Sequence, residues 1–168
     1  TNYAVILNIS PDHLERHGTL RNYIKAKFKL VKNLKNKGVA FLNTNNLHIK
    51  KEIKKIKIFF KIIKINKSVN SKFLKKINNP YFITEGNKEN LSFVMEVIKK
   101  FNIKQKNLFK TLKNFKGLKY RQEIIHRSKN LTIINDSKAT SYSSSVSILK
   151  SLFNVYWIVG GLAKKNDK

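Results

Sequence analysis

Apolar residues recur along this chain in two periods, and each change of period marks an element. Residues 3–8 (Tyr-Ala-Val-Ile-Leu-Asn) are a continuous apolar run, the pattern of a strand in a covered parallel sheet. Ser10-Pro11-Asp12-His13 turns the chain after it. Leu20, Tyr23, Ile24, Phe28, Val31 and Leu34 recur at helical spacing and predict a helix over 20–34. Residues 39–43 read as a second strand, closed by Asn-rich turn chemistry. A helix over 47–55 and a strand over 56–65 follow. Asn78-Asn79-Pro80 breaks the pattern, and 81–84 reads as a short strand. Residues 91–101 and 105–115 predict consecutive helices. Past Lys116-Gly117-Leu118-Lys119 the order is strand, strand, turn, helix, strand, over 121–127, 131–135, 142–152 and 155–159. Strand–helix–strand alternation predicts a parallel α/β sheet, and the glycine turn marks a domain boundary. The chain shows no internal repeats.

Two stretches depart from these patterns. Asn135-Asp136-Ser137-Lys138-Ala139-Thr140 places an acid, two hydroxyls and a lysine after the apolar run 130–134. Gly160-Gly161-Leu162-Ala163-Lys164 does the same with a glycine pair and a lysine after the run 155–159. Two strands ending side by side would bring Lys138, Thr140 and Lys164 together at the carboxyl edge of a parallel sheet, where α/β proteins bind ligands. Two ammonium groups and a hydroxyl suit a small anion, most simply a carboxylate. The competing reading makes Asp136 to Thr140 the N-cap of the helix carrying Val146, Ile148, Leu149 and Leu152. A cap needs one polar residue, and this stretch supplies four.

A third polar group, Asn8-Ile9-Ser10-Pro11-Asp12-His13-Leu14-Glu15-Arg16-His17, lies just past the first strand. Asp12 and His13 are neighbours at a turn, where side chains can converge on a cation. The competing reading is a polar loop whose Asp caps the next helix. Lys27 is distinguished only by small Ala26 beside it, which permits close packing.

Composition changes the picture less than its extremes suggest. The formal charge is +27, and of 36 basic residues 32 are Lys and 4 Arg. A charge of that size ordinarily points to nucleic acid or a membrane surface. Here the lysines travel with Asn and Ile, an enrichment that AT-rich codons produce without selection for binding. Arg, the residue of bidentate base and phosphate contacts, is scarce. With no Cys there are no disulfides or thiolate metal sites, which fits a reducing cytoplasm. No apolar run approaches the ~20 residues of a membrane span. Thr1 opens inside an apolar run without an initiating Met, and Lys168 stands just past a glycine turn, which predicts a piece of a longer protein.

Asn8-Ile9-Ser10-Pro11-Asp12-His13-Leu14-Glu15-Arg16-His17, followed by Tyr23-x-x-Ala26-Lys27, resembles the central-domain signature of the Mur ligases, ATP-dependent amide-forming enzymes of peptidoglycan synthesis. Gly117-Leu118-Lys119-Tyr120-Arg121, Asn135 to Thr140 and Gly160-Gly161-x-x-Lys164-x-x-Asp167 resemble the branch of that family which attaches D-glutamate. The resemblance implies an α/β fold: the later part of a central ATP-binding domain over 1–116, then the start of a Rossmann-like C-terminal domain over 117–168. It implies that ATP phosphorylates the terminal carboxylate of UDP-N-acetylmuramoyl-L-alanine, and that the amine of D-glutamate attacks the acyl phosphate. His13 and Lys27, the latter N-carboxylated to a carbamate, would be the catalytic pair and the Mg²⁺ ligands, with Asp12 orienting them. Asn90, Arg121 and Asp136 would contact ATP; Lys138, Thr140 and Lys164 would hold D-glutamate. A hinge near Gly117 would let one domain close on the other. The intact enzyme would be a cytoplasmic monomer with no membrane or nucleic-acid partner. Two departures stand out. The phosphate loop, Gly-x-x-Gly-Lys-Ser/Thr, is absent and on the family's map lies upstream of Thr1, so the fragment alone is expected to be inactive. Gly86 replaces the His of a usual His-Asn-x-x-Asn, leaving Asn87 and Asn90 in place. The alternatives are a folylpolyglutamate synthase-like ligase and a basic nucleic-acid-binding module.

Overall fold

The computed structural model describes residues 1–66 and 68–162. They group into two compact units: residues 1–66 with 154–162, and residues 68–153.

The first unit is built on a parallel sheet of β1 (Tyr3–Ile6), β2 (Val39–Asn43) and β3 (Lys61–Ile65), in that order. Tyr3 stands opposite Val39, and Val39 opposite Lys61. Every residue of the central β2 is buried, as its unbroken Val-Ala-Phe-Leu run requires of a strand flanked on both edges. The edge strand β1 alternates, burying Ala4 and Ile6. Between them run α1 (Leu14–His17) and α2 (Leu20–Lys32). Thr19 starts α2 by accepting a hydrogen bond from Asn22 N at 3.2 Å. Tyr23, Phe28 and Val31 form the buried face of α2 and join Ile6, Ile9, Leu42 and Ile49 in one core. Each such side chain contributes about 1.5–3 kcal/mol on burial. After β2 comes α3 (Leu47–Ile53).

The second unit is mainly helical: α4 (Ser71–Ile77), a 3-10 turn over Pro80–Ile83, α5 (Glu85–Lys100) and α6 (Gln105–Asn114). Ile77, Phe82, Leu91, Leu108 and Leu112 make its core. A hairpin of β4 (Glu123–Arg127) and β5 (Thr132–Asn135) follows, and then α7 (Tyr142–Ser151).

The strand predicted over 56–65 forms only from Lys61, where β2 begins to offer partners. Residues 81–84 are not a strand. Pro80 fixes a helical φ at the first position of a 3-10 turn capped by Asn79, whose Oδ1 accepts from Tyr81 N at 2.9 Å. The second sheet is an antiparallel hairpin, and the parallel pairing expected of the strand–helix–strand order over 131–135, 142–152 and 155–159 does not form, because 155–159 is no strand. Only four residues separate β4 from β5, and a parallel pair needs a crossover of a dozen or more. Among the described residues, 155–159 form no strand, and Tyr156 and Ile158 are 97% and 98% exposed. The helix α4 was not anticipated, and α5 starts six residues before its predicted first turn at 91.

Asn79 also ends α6: its Nδ2 donates to Leu112 O at 2.7 Å and to Phe115 O at 2.8 Å. Tyr81 lies edge-on to Phe115, with ring centroids 5.0 Å apart. Gly117 then passes over the Tyr81 ring at φ +79°, where a methyl carbon would sit 2.3 Å from Cε2. Gly117→Ala therefore meets both a disfavoured backbone and a ring that must shift to admit the methyl. We expect a loss of about 2–4 kcal/mol and a fall of roughly 5–10 °C in thermal midpoint. An unchanged midpoint would show that this approach is not tight in solution.

Candidate functional site

Asp12, His13 and Lys27 lie in the first unit, and Asn90, Arg121, Asp136, Lys138 and Thr140 in the second. In the first unit the chain leaves β1, anchors buried Ile9, and turns at Asp12 and His13. His13 adopts a left-handed backbone, φ 53°, and its N–H donates to Asp12 Oδ1 at 2.9 Å. Its ring nitrogens lie 3.5 Å from Asp12 Oδ2 and 3.4 Å from Glu15 Oε1, and the side chain is 54% exposed. Lys27, on α2, holds its Nζ 4.8 Å above the Tyr23 ring. That ring in turn lies against His17, with centroids 5.2 Å apart.

The edge of the sheet from which this loop departs is tied by asparagines, which the sequence reading took only as turn residues. Buried Asn43 accepts from Asn45 N at 2.9 Å. Asn45 Nδ2 donates to Asn66 O at 3.2 Å, and Asn46 Nδ2 to Ile9 O at 2.9 Å. The ends of all three strands are thus joined by side-chain amides.

Among the described residues no group of three or more His, Asp or Glu side chains could enclose a metal ion. The patch of Asp12, His13 and Glu15 offers two carboxylates and an imidazole on a solvent-facing turn. These three do not make such a group, although carboxylate oxygens are of the kind Mg²⁺ takes beside water and phosphate oxygens.

In the second unit the structure brings Arg121, Asp136 and Lys138 together. Asp136 Oδ1 accepts from Gln122 N at 3.0 Å, and Lys138 N donates to Tyr120 O at 3.0 Å, so the 118–122 turn lies against the 135–139 turn. Ser137 N on Asn135 Oδ1 (3.1 Å) and Ala139 N on Asp136 O (2.8 Å) close the latter. The helix-cap reading of Asp136 to Thr140 fails, because the N-cap of α7 is Ser141, paired with Ser144. Lys138 and Thr140 are exposed beside this turn. Asn90 is exposed on α5, whereas Asn87 is buried and donates to Tyr81 O at 2.8 Å. Lys164 lies outside the described residues, and residues 155–159, expected to deliver it, form no strand.

Gly86 has a local reason. Gly86 N donates to Ser147 Oγ at 2.9 Å and Glu85 N to Ser151 Oγ at 3.1 Å, so α7 supplies acceptors to the first turn of α5. A Cβ at residue 86 would stand 2.8 Å from Ser147 Oγ. No motif search reveals this, because Ser147 is 61 residues away.

Burial pushes the Asp136 carboxyl above the usual carboxylate range, against the Gln122 N–H bond and the Arg121 charge, which pull it down. Burial likewise raises the Tyr81 phenol, which feels both Arg121 and Asp136. A carboxyl whose folded value is raised contributes stability that is complete below its unfolded value and is lost as pH rises through the folded one. Asp136→Asn keeps an acceptor for Gln122 N–H and removes the disfavoured charge. We expect its thermal midpoint to equal or slightly exceed the parent's at pH 7, by under about 0.5 kcal/mol, and the two to converge in acid. A lower midpoint at pH 7 would contradict this.

The profile of the Mur ligase middle domain matches residues 1–108. The chain is 32% identical over 179 residues to the UDP-N-acetylmuramoylalanine–D-glutamate ligase of Rickettsia felis, spanning 96% of this chain and 40% of that protein. The ligase of the same name from the Wolbachia of Brugia malayi is 32% identical over 185 residues, spanning 96% of this chain and 35% of that protein. The chain thus covers well under half the length of these curated relatives. Among solved structures, MurF ligase of Thermotoga maritima in complex with ADP superposes with a TM-score of 0.65 at 14% identity, covering 90% of this chain and 39% of that one. MurF of Acinetobacter baumannii gives 0.62 at 18% identity, covering 90% and 37%.

Proposed function

This chain belongs to the Mur ligase family, and from that premise we propose that it is part of an ATP-dependent ligase that adds D-glutamate to UDP-N-acetylmuramoyl-L-alanine in peptidoglycan synthesis. The observation that carries this reading is the pair of turns holding Arg121, Asp136 and Lys138 in one hydrogen-bonded frame. The shared name of relatives matched across nearly the whole chain supports the choice of amino acid.

On this reading residues 1–116 belong to the central domain and 117–168 begin the C-terminal one, with the turn at Gly117 as hinge. The exposed Arg121 guanidinium balances phosphate charge, and the Asp136 carboxylate accepts from ribose hydroxyls. Asn90 contacts the nucleotide from α5. Lys138, Thr140 and Lys164 bind the carboxylates of D-glutamate and orient its amine. His13 and Lys27 as a carbamate would hold Mg²⁺, which when bound neutralises the charge of the transferring phosphoryl group. Asp12 keeps the His13 turn in place through its backbone. The enzyme acts in the cytoplasm as a monomer; among the described residues no helix is long and apolar enough to cross a membrane.

The test is phosphate release by the full-length protein. Release that requires ATP, UDP-N-acetylmuramoyl-L-alanine and D-glutamate together supports the proposal. Release that is indifferent to D-glutamate, or that requires a folate instead, overturns it. Binding of random DNA with a steep salt slope, without any such release, would favour the basic-module alternative that the +27 charge suggests.

A further inference from the structure

We propose that Gln122 is a positioning residue that holds Arg121 toward the nucleotide by tying its turn to the cap of α5, an inference that rests on Arg121, Asp136 and Asn90 being the nucleotide-side residues. Three left-handed residues fall within six positions here: Gly117 at φ 79°, Tyr120 at 64° and Gln122 at 50°. Glycine adopts this backbone freely, whereas an aromatic or a glutamine does so only where its surroundings impose it. Arg121 lies between the latter two, with its N–H on Leu118 O at 3.2 Å.

The surroundings that impose the turn are specific. Tyr120 N donates to Glu123 Oε2 at 2.9 Å, and Tyr120 O accepts from Lys138 N at 3.0 Å. Gln122 is held at both ends. Its backbone N–H donates to Asp136 Oδ1 at 3.0 Å, and its side-chain Oε1 accepts from Thr84 Oγ1 at 2.7 Å, across 38 residues. Buried Thr84 is itself the N-cap of α5, accepting from Asn87 N at 3.3 Å. One glutamine therefore connects the Asp136 turn to the helix that presents Asn90. Among the described residues the Arg121 guanidinium takes no hydrogen bond of its own. Its direction is set by the backbone on either side, and if the Gln122 tether is cut the turn can relax toward negative φ and carry the guanidinium away.

Substitutions at Gln122 in the full-length protein separate this from a general structural role. Gln122→Leu removes the acceptor for Thr84, and Gln122→Gly removes it while easing the backbone, so the second variant does not depend on the first one folding. Both should raise the KM for ATP about tenfold, with kcat and the KM for D-glutamate changed by less than about twofold. Gln122→Glu, which still accepts from the Thr84 hydroxyl, should restore the parent value. Combined with Arg121→Ala, Gln122→Gly should add little further to the ATP KM, because it acts through the same guanidinium. An unchanged ATP KM in Gln122→Gly beside a raised one in Arg121→Ala overturns the positioning role alone. An unchanged ATP KM in Arg121→Ala itself overturns the nucleotide-side reading and this inference with it. Equal losses in kcat and in the KM of every substrate would reduce Gln122 to a folding contact.

Discussion

Lys27→Ala in the full-length protein is expected to abolish turnover, and millimolar bicarbonate or a short carboxylic acid is expected to restore part of it. The side chain lies on α2 between buried Tyr23 and Phe28, with its ammonium 4.8 Å above the Tyr23 ring. As an ammonium it repels a metal ion. Deprotonated and joined to CO₂ at Nζ, with loss of a proton, it becomes a carbamate whose two oxygens carry a negative charge that favours one. Loss of a preorganised charged group typically costs on the order of 10²–10³ in kcat. The helix itself should survive, since alanine is the better helix former and Lys27 is only partly buried. An alanine variant with unchanged thermal midpoint, little activity and recovery on adding acetate would identify the missing group as a carboxylate. Full activity without any additive would make Lys27 an ordinary helix lysine.

The second large effect is expected at Lys164 and Thr140. Losing a charge-assisted hydrogen bond costs roughly 1.5–3 kcal/mol, or about 10- to 150-fold in apparent affinity for D-glutamate. Lys164→Ala should fall near the upper end, since it removes a whole charge, and Thr140→Ala near the lower. The KM for ATP should move little, because the nucleotide contacts are assigned to Arg121, Asp136 and Asn90. Thr140 stands exposed between the Asp136 turn and the α7 cap, and the variant's thermal midpoint read beside its kinetics separates a fold effect from a binding one. Steady-state kinetics with each substrate varied in turn decides the matter. A raised ATP KM with an unchanged D-glutamate KM would mean that the pocket belongs to the other ligand.

What could be read from the sequence was whatever depends on burial within one element. Residues 39–43 show it: an unbroken apolar run became the fully buried central strand, with the predicted limits. So does α2, whose helical-period residues supply Tyr23, Phe28 and Val31 to the core. Elements whose existence depends on a partner were misread. The run 155–159 has every local qualification for a strand and forms none, so β5 takes its ladder from β4, in the antiparallel sense that their short connection sets. At the site, Asp12, His13 and the 135–140 stretch were visible in their own chemistry, whereas Lys27, Asn90 and Arg121 were found only through the family resemblance. The residues that aim them were not visible. Gln122 meets Thr84 across 38 positions, and Ser147 meets Gly86 across 61, so no local pattern announces either. Nor does any propensity place Tyr120 in a left-handed backbone.

The amide of Asn79, which closes α6 and starts the 3-10 turn, also bears on how the protein ages. Asparagine deamidates when the next residue's peptide nitrogen attacks the side-chain carbonyl and expels ammonia. At Asn79 the product would be an aspartate facing the carbonyls of Leu112 and Phe115, with a negative oxygen where two donors had been. The next residue is Pro80, whose ring nitrogen carries no hydrogen to lose. In a chain so rich in asparagine, the amide whose conversion would unpick a helix end is shielded from that reaction by its neighbour.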